Sequence, residues 1–195
     1  MKKIFHVSPA NENEIAGPRF SVMNLIKYSD INLAENYLVT NQSGVEFFSK
    51  HLKEKQIYTY TSLVKLIFLR KIKPNESIFI FHSTFILKSY LLSIILNKIK
   101  FKYAIYPRGG FTKEALRIKF LKKKIFLNLF FKRFFSNSHA TVYLNKNEKL
   151  NSTRFTKNYF ISPNGVDPKL FENRKRNLII KNIDNNIINT GLIAR

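Results

Sequence analysis

The residues of this chain best suited to chemistry stand in the run Tyr106-Pro107-Arg108-Gly109-Gly110-Phe111. An arginine presents a planar fork of N–H donors that fits phosphate or carboxylate oxygens in pairs. The two glycines after it either take positive φ or let the backbone come close to a ligand. His82 directly follows the apolar run Ser77-Ile78-Phe79-Ile80-Phe81. At the C-terminal end of a buried strand it stands where parallel α/β sheets bind ligands, although a lone histidine there also serves structure alone. A third group lies in the stretch SPANENEIAGPRF. Gly17 permits close backbone approach, a helix opening at Pro18 offers unpaired N–H groups, and Arg19 adds charge. Together these could cradle an anion; the plain reading is an ordinary loop and helix start. Finally, Ser162-Pro163-Asn164-Gly165 is either a hairpin tip, as Asn-Gly usually is, or the edge of a site.

Elements must hold these residues, and the hydrophobic pattern supplies them in alternation. Strands are expected over 3–7, 36–40, 77–81, 102–106, 141–144 and 158–161, with helices over 18–28, 60–71, 85–98, 112–135 and 145–152. Pro18 suits a first helical position, where its missing N–H costs nothing. SIFIF reads as a strand buried on both faces. Asn145 and Glu148 have the spacing of a capping box. The alternation predicts an α/β fold, a Rossmann-like doubly wound parallel sheet with helices on both faces.

The helix over 112–135 is basic and aromatic, with Lys113, Arg117, Lys119, Lys122, Lys123, Lys124, Lys132 and Arg133. On a helical wheel Ile118, Leu121, Ile125 and Leu129 form a face suited to the sheet, while Phe120, Leu127 and Phe131 fall among the cations. Exposed apolar residues mixed with cations fit an anionic membrane surface, each cation contributing about 1 kcal/mol. A helix covered on both sides and a merely solvated basic face are the alternatives.

Composition narrows the classes. The 195 residues are 45% apolar, enough for one substantial domain with a remainder. The absence of cysteine excludes a disulfide framework and thiolate metal sites. The formal charge of +22 favours nucleic acid, anionic lipid or phosphorylated substrates as partners. Part of that excess accompanies a joint abundance of Lys, Asn, Ile and Phe, as AT-rich coding produces. The N-terminal apolar run is too short for a signal peptide. The run over 78–96 is long enough to span a bilayer, but Lys88 sits within it, at a cost of roughly 2.5–3.5 kcal/mol; a strand followed by a packed helix fits better. No P-loop, GxGxxG, HExxH, metal cluster or Ser-His-Asp arrangement is present.

Taken in order, AGPRF, IFIFH, YPRGGFTKEAL, the lysine-rich helix, HATVYLNKNEK and YFISPNGVD resemble the N-terminal, acceptor-side domain of retaining GT-B-fold glycosyltransferases of family 4. PRGG and PNGVD carry most of the likeness, which runs over roughly 3–195. It implies an acceptor domain over 1–170, a connector over 171–185, and the first strand of an incomplete donor domain over 186–195. Gly17, Arg19, His82, Arg108, Gly109, Gly110, Glu148, Asn164 and Gly165 would line the acceptor cleft. Gly191 and Arg195 would open the donor-diphosphate site, and Arg117, Lys119, Lys122, Lys123 and Lys124 would face the membrane. The family's matching Lys and its E-x7-E carboxylates have no counterpart here, and many relatives place a His where PRGG stands, so the catalytic residues stay unassigned.

The resemblance further implies no metal and no cofactor, the nucleotide-sugar being a co-substrate whose leaving diphosphate is stabilised by cationic groups. The expected activity is retaining transfer from a nucleotide-diphospho-sugar to a saccharide or lipid-linked acceptor in envelope polysaccharide or lipopolysaccharide synthesis. The expected location is the cytoplasm, peripheral on the inner face of the plasma membrane. With most of the donor half missing, weak or absent catalysis is expected. The rivals are a basic non-enzymatic nucleic-acid- or membrane-binding module and a scaffold that kept only the acceptor fold. No specific nucleic acid is expected, because no RRM, helix-turn-helix or zinc-finger signature occurs.

Overall fold

Parallel neighbours need a crossover long enough to hold a helix, and the chain supplies one between most of its strands. The computed structural model describes residues 2–9, 17–30, 32–117 and 125–164, with the backbone alone at 17–19, 128 and 129. The elements are β1 (Lys2–Val7), α1 (Gly17–Lys27), β2 (Ala34–Thr40), α2 (Gln42–Ser49), a 3-10 turn (Glu54–Gln56), β3 (Ile57–Thr59) and α3 (Tyr60–Phe68). They continue with β4 (Ser77–Phe81), α4 (Leu87–Lys98), β5 (Lys102–Ile105), α5 (Lys113–Arg117), a π-helical turn (Leu127–Phe131), α6 (Lys132–Ser136), β6 (Ala140–Tyr143), α7 (Lys146–Asn151) and β7 (Tyr159–Ile161).

The strands form one seven-stranded parallel sheet in the order β3-β2-β1-β4-β5-β6-β7. The fold is therefore α/β and Rossmann-like. β1 pairs with β2 on one side and β4 on the other, so strand order reverses between β1 and β4. Such a reversal opens a crevice at the C-terminal strand ends, where these folds bind ligands. The described residues fall within one unit, Met1–Gly165. The expected connector over 171–185 and strand over 186–195 lie outside the described residues.

Alternation along the strands divides the core. Phe5, Val7, Val39, Phe79, Phe81, Tyr103 and Ile105 pack under α3, α4 and α6, where Leu63, Leu92, Leu96, Phe134 and Phe135 meet them. On the opposite face Leu38 meets Val22, Met23 and Ile26 of α1 and Phe48 of α2. Burying a side chain of this size stabilises by about 1.5–3 kcal/mol, so these two layers fix the sheet.

Several expectations are corrected. α2 and β3 lie between Thr40 and Tyr60, where no element was expected. The start of α2, Asn41-Gln42-Ser43-Gly44, has turn-like composition, yet Gly44 is buried in the helix, where a side chain would run into Thr40. β4 is not buried on both faces: Ile78 is exposed, and on that face α1 and α2 pack over β2 and β3 instead.

The basic segment departs further from its wheel. Leu127 packs on the core and Phe131 is buried, whereas Ile125 is 57% exposed, the reverse of the expectation for these three; Ile118, Phe120, Leu121 and the side chain of Leu129 lie outside the described atoms. The aromatic group of Phe131, Phe134 and Phe135 decides this. It meets Phe85 and Phe111 edge to face and Phe155 in a tilted contact, and Phe buries more apolar area than Ile. Leu127–Phe131 is also π-helical rather than uniform α-helix. Finally, β7 pairs parallel to β6, and Ser162-Pro163-Asn164 leaves that strand; Gly165 and the residues after it, on which a hairpin would depend, lie outside the described residues.

Candidate functional site

Register assembles the site. His6 of β1 lies opposite Leu38 of β2 and Ile80 of β4, and Ile4 opposite Asn36. Asn36, His6 and His82 therefore climb diagonally across three strands on one face, each step two residues nearer the C-terminal edge. The ladder continues past the strand ends, where His82 N–H donates to Val7 C=O at 2.9 Å and Tyr106 N–H to Phe81 C=O at 2.7 Å. Arg108 follows two residues later in left-handed conformation (φ 48°), with Gly109 at φ 82°. A non-glycine residue in that region is uncommon and tends to mark strain held by its surroundings.

The surroundings are a polar network. Arg108 donates to His82 Nδ1 from Nη2 at 3.2 Å and from Nε at 3.4 Å. Nη1 donates to Ser21 Oγ of α1 at 2.5 Å and to Asn164 Oδ1 at 2.9 Å. Its guanidinium lies 4.6 Å from the Tyr106 ring centroid, and the Tyr106 hydroxyl donates to Ser162 C=O. His82 Nε2 and His6 Nδ1 are 2.9 Å apart, as are His6 Nε2 and Asn36 Oδ1. Among the described residues no carboxylate forms an ion pair with Arg108; its contacts are a histidine, a serine, an asparagine and an aromatic ring.

Burial governs the titration here. His6 and His82 are both buried. Burial lowers the His6 pKa to about 4; the Asn36 hydrogen bond opposes the shift and the Arg108 charge adds to it. Burial, then His6, then Arg108 hold His82 well below its ordinary value. Both imidazoles are neutral near pH 7. Burial also lowers the Arg108 pKa and raises that of Tyr106.

The loop is held from its other side by Glu148, which is buried. Asn145 Oδ1 accepts the Glu148 N–H at 2.8 Å, so the expected helix cap forms. The expected capping box does not: the Glu148 carboxylate accepts Gly109 N–H at 2.5 Å and Leu144 N–H at 2.6 Å. Gly109 has open space around it and serves the positive φ. Gly110 serves packing instead, because a Cβ there would lie 2.7 Å from Thr84 Oγ1 and 2.9 Å from Pro107 O.

The structure thus gathers His82, Arg108, Gly109, Gly110, Glu148 and Asn164 at the C-terminal edge of the sheet. Glu148 and His82 are buried supports rather than open lining. Gly17 begins α1, whose Ser21 reaches Arg108; the side chain of Arg19 is outside the described atoms. Gly165, Gly191, Arg195, Lys119, Lys122, Lys123 and Lys124 lie outside the described residues. Arg117 is exposed at the end of α5. Sequence reasoning missed His6, Asn36, Ser21 and Tyr106. A His inside the apolar run IFHV is the one signal that could have flagged the first.

A cavity of about 800 Å³ lies elsewhere, along the N-terminal half of β2 between Asp30, Glu35, Lys53, Gln56 and Tyr58; Asn36 lines it from the far end of the network. Among the described residues no cluster of three or more His, Cys, Asp or Glu is placed to hold a metal ion, and no helix is long and apolar enough to cross a membrane.

Fold and site together define a Rossmann-like parallel α/β domain with a polar cluster at its strand-order reversal. No protein-family model matches the chain, and no curated protein or solved structure matches it significantly.

Proposed function

We propose that this chain provides the acceptor-side domain of a retaining GT-B-type glycosyltransferase, acting between a nucleotide-diphospho-sugar and a saccharide or lipid-linked acceptor. The observation that carries the reading is Arg108. It is a half-buried guanidinium beside the strand-order reversal, with neutral partners only among the described residues. A partly desolvated cation without a carboxylate partner favours an incoming anion. Ser21 and Asn164 are neutral acceptors that a phosphate oxygen can replace on Nη1. The ordered motifs from AGPRF to PNGVD support the assignment of that anion to a sugar-transfer reaction.

The test is an NMR titration of the chain with uridine and guanosine diphosphates, their sugar conjugates and a short-chain polyprenyl phosphate. At least one should shift the Gly109 amide and the Arg108 Nε–H, and Arg108→Ala should abolish the response. Silence from every compound would overturn the reading.

A second observation supports membrane attachment of the same domain. Leu87 and Leu91 flank Tyr90 on α4 and are exposed; Tyr90 contacts Phe130, which contacts Phe126, both of them also exposed. Lys88 is exposed on α4, and Lys132 and Arg133 are exposed at the start of α6, directly after the π-helical turn. Apolar side chains ringed by cations fit an anionic bilayer surface.

A further inference from the structure

Arg108, His82, His6 and Asn36 lie on two loops and two strands that only the folded sheet brings together, and their hydrogen bonds admit one direction. A guanidinium only donates, so His82 Nδ1 is an acceptor and carries no proton. In neutral His82 the proton then sits on Nε2, which donates to His6 Nδ1. The His6 proton is consequently on Nε2 and is donated to Asn36 Oδ1. The Asn36 amide is oriented by the same rule: Nδ2 donates to Ala34 C=O at 3.1 Å, leaving Oδ1 toward His6. The chain of donors ends on a backbone carbonyl that cannot reverse its role.

We propose that His6 and Asn36, buried and joined to Arg108 only through His82, are positioning residues for Arg108: through this one-way relay they keep the Nδ1 lone pair of His82 facing the guanidinium and so hold Arg108 for an anion. The proposal rests on the reading of Arg108 as the anion-binding group. Its content is a choice between two tautomers of His82. With Nε2 protonated, His82 accepts from Arg108. With Nδ1 protonated it presents an N–H to a cation's N–H groups, and Arg108 must leave.

The relay assigns a distinct consequence to Asn36→Asp. A carboxylate facing His6 Nε2 favours imidazolium at His6. Both His6 nitrogens then donate, His82 must accept at Nε2, and its remaining proton moves to Nδ1. Among the described residues, the ionisable groups bearing on the relay are His6, His82 and Arg108 themselves, with Glu148 and Tyr106 acting on Arg108. Raising the pH removes the extra His6 proton and restores the parent tautomer.

The experiment is imidazole 15N NMR on the parent and on Asn36→Asp, with the exchange rate of the Arg108 Nε–H and a titration with inorganic pyrophosphate. In the parent, Nδ1 of both histidines should be unprotonated, and the Arg108 Nε–H should exchange slowly. In Asn36→Asp near pH 6 the His82 proton should be on Nδ1 and Arg108 Nε–H exchange should accelerate at least tenfold. Pyrophosphate affinity should fall about tenfold, with recovery of all three at higher pH. His82 protonated on Nδ1 in the parent, or a variant with unchanged His82 tautomer and Arg108 exchange, would overturn the relay. Absence of pyrophosphate binding by the parent, with the tautomer and exchange responses intact, would overturn the anion reading and leave the relay supported. The parent spectrum decides the tautomers even if the variant folds poorly.

Discussion

Glu148 binds the backbone of Gly109: its Oε1 accepts that N–H at 2.5 Å across 39 residues of chain, while Oε2 takes the N–H of Leu144. One carboxylate thus ties the left-handed Arg108–Gly109 turn to the end of β6, and the tie lies opposite the His82 contact. The turn that aims Arg108 is gripped from both sides.

Replacing Glu148 with Leu should therefore reach Arg108 without touching it. Two backbone N–H groups lose their acceptor in a partly buried position, and hydrogen bonds to charged groups are worth about 1.5–3 kcal/mol each. We expect a loss of about 3–5 kcal/mol in urea denaturation, with the Gly109 and Leu144 amides losing exchange protection first. Glu148→Gln keeps one acceptor and should cost roughly half as much.

The two glycines of PRGG should respond differently. Gly109→Ala meets open space and costs only the conformational penalty of positive φ, about 1–2 kcal/mol. Gly110→Ala drives a methyl against Thr84 and the Pro107 carbonyl, so backbone must move. Its cost should be greater, toward the upper part of the roughly 1–3 kcal/mol typical of overpacking. Thermal or chemical denaturation of the two variants gives the order. A Thr84→Ser change should relieve Gly110→Ala only in part, because Pro107 O stays in place.

Much of this was legible beforehand, and its limits have physical causes. The strands β1, β2, β4, β5, β6 and β7 carry apolar runs that identify them, and alternation with helices predicts a parallel sheet. β3 is three residues long, and Ile57-Tyr58-Thr59 gains its identity only from β2 beside it. The face of the basic segment was misread because a wheel counts apolar positions, whereas packing rewards Phe131, Phe134 and Phe135 by area. His82, Arg108 and Asn164 were legible from their places after strands. His6 and Asn36 were not, since nothing local links a strand histidine to a residue 76 positions away; register alone does so.

The buried histidines predict acid sensitivity with a definite sign. His6 has a folded pKa of about 4 against an ordinary value of 6.5, and His82 is lowered in the same direction by burial, His6 and Arg108. Below pH 6.5 the unfolded chain takes up protons that the folded chain refuses, so stability falls as pH drops through 6.5 and, for His6, levels below about 4. The slope is at most about 1.4 kcal/mol per pH unit for each histidine. Urea midpoints between pH 7.5 and pH 4.5 should show it, and His6→Phe should flatten the profile. An unchanged slope in that variant would assign the sensitivity to other groups.

The exposed apolar group around Tyr90 makes a prediction about lipid. Leu91 is 51% exposed and Phe126 47%, and neither belongs to the buried core, so Leu91→Ser and Phe126→Ser should change stability little. At a bilayer surface the same side chains would enter the headgroup boundary, where a buried Leu or Phe contributes up to about 1.5–3 kcal/mol. The double variant should then lose at least tenfold in partitioning to vesicles containing phosphatidylserine. The parent should bind those vesicles more tightly than neutral ones, and added salt should weaken it, because exposed cations act over a screening length of about 10 Å at 0.1 M ionic strength. Flotation on neutral and anionic vesicles separates the cases. Equal binding to both, binding to neither, or an unaffected double variant would each count against membrane docking through this face.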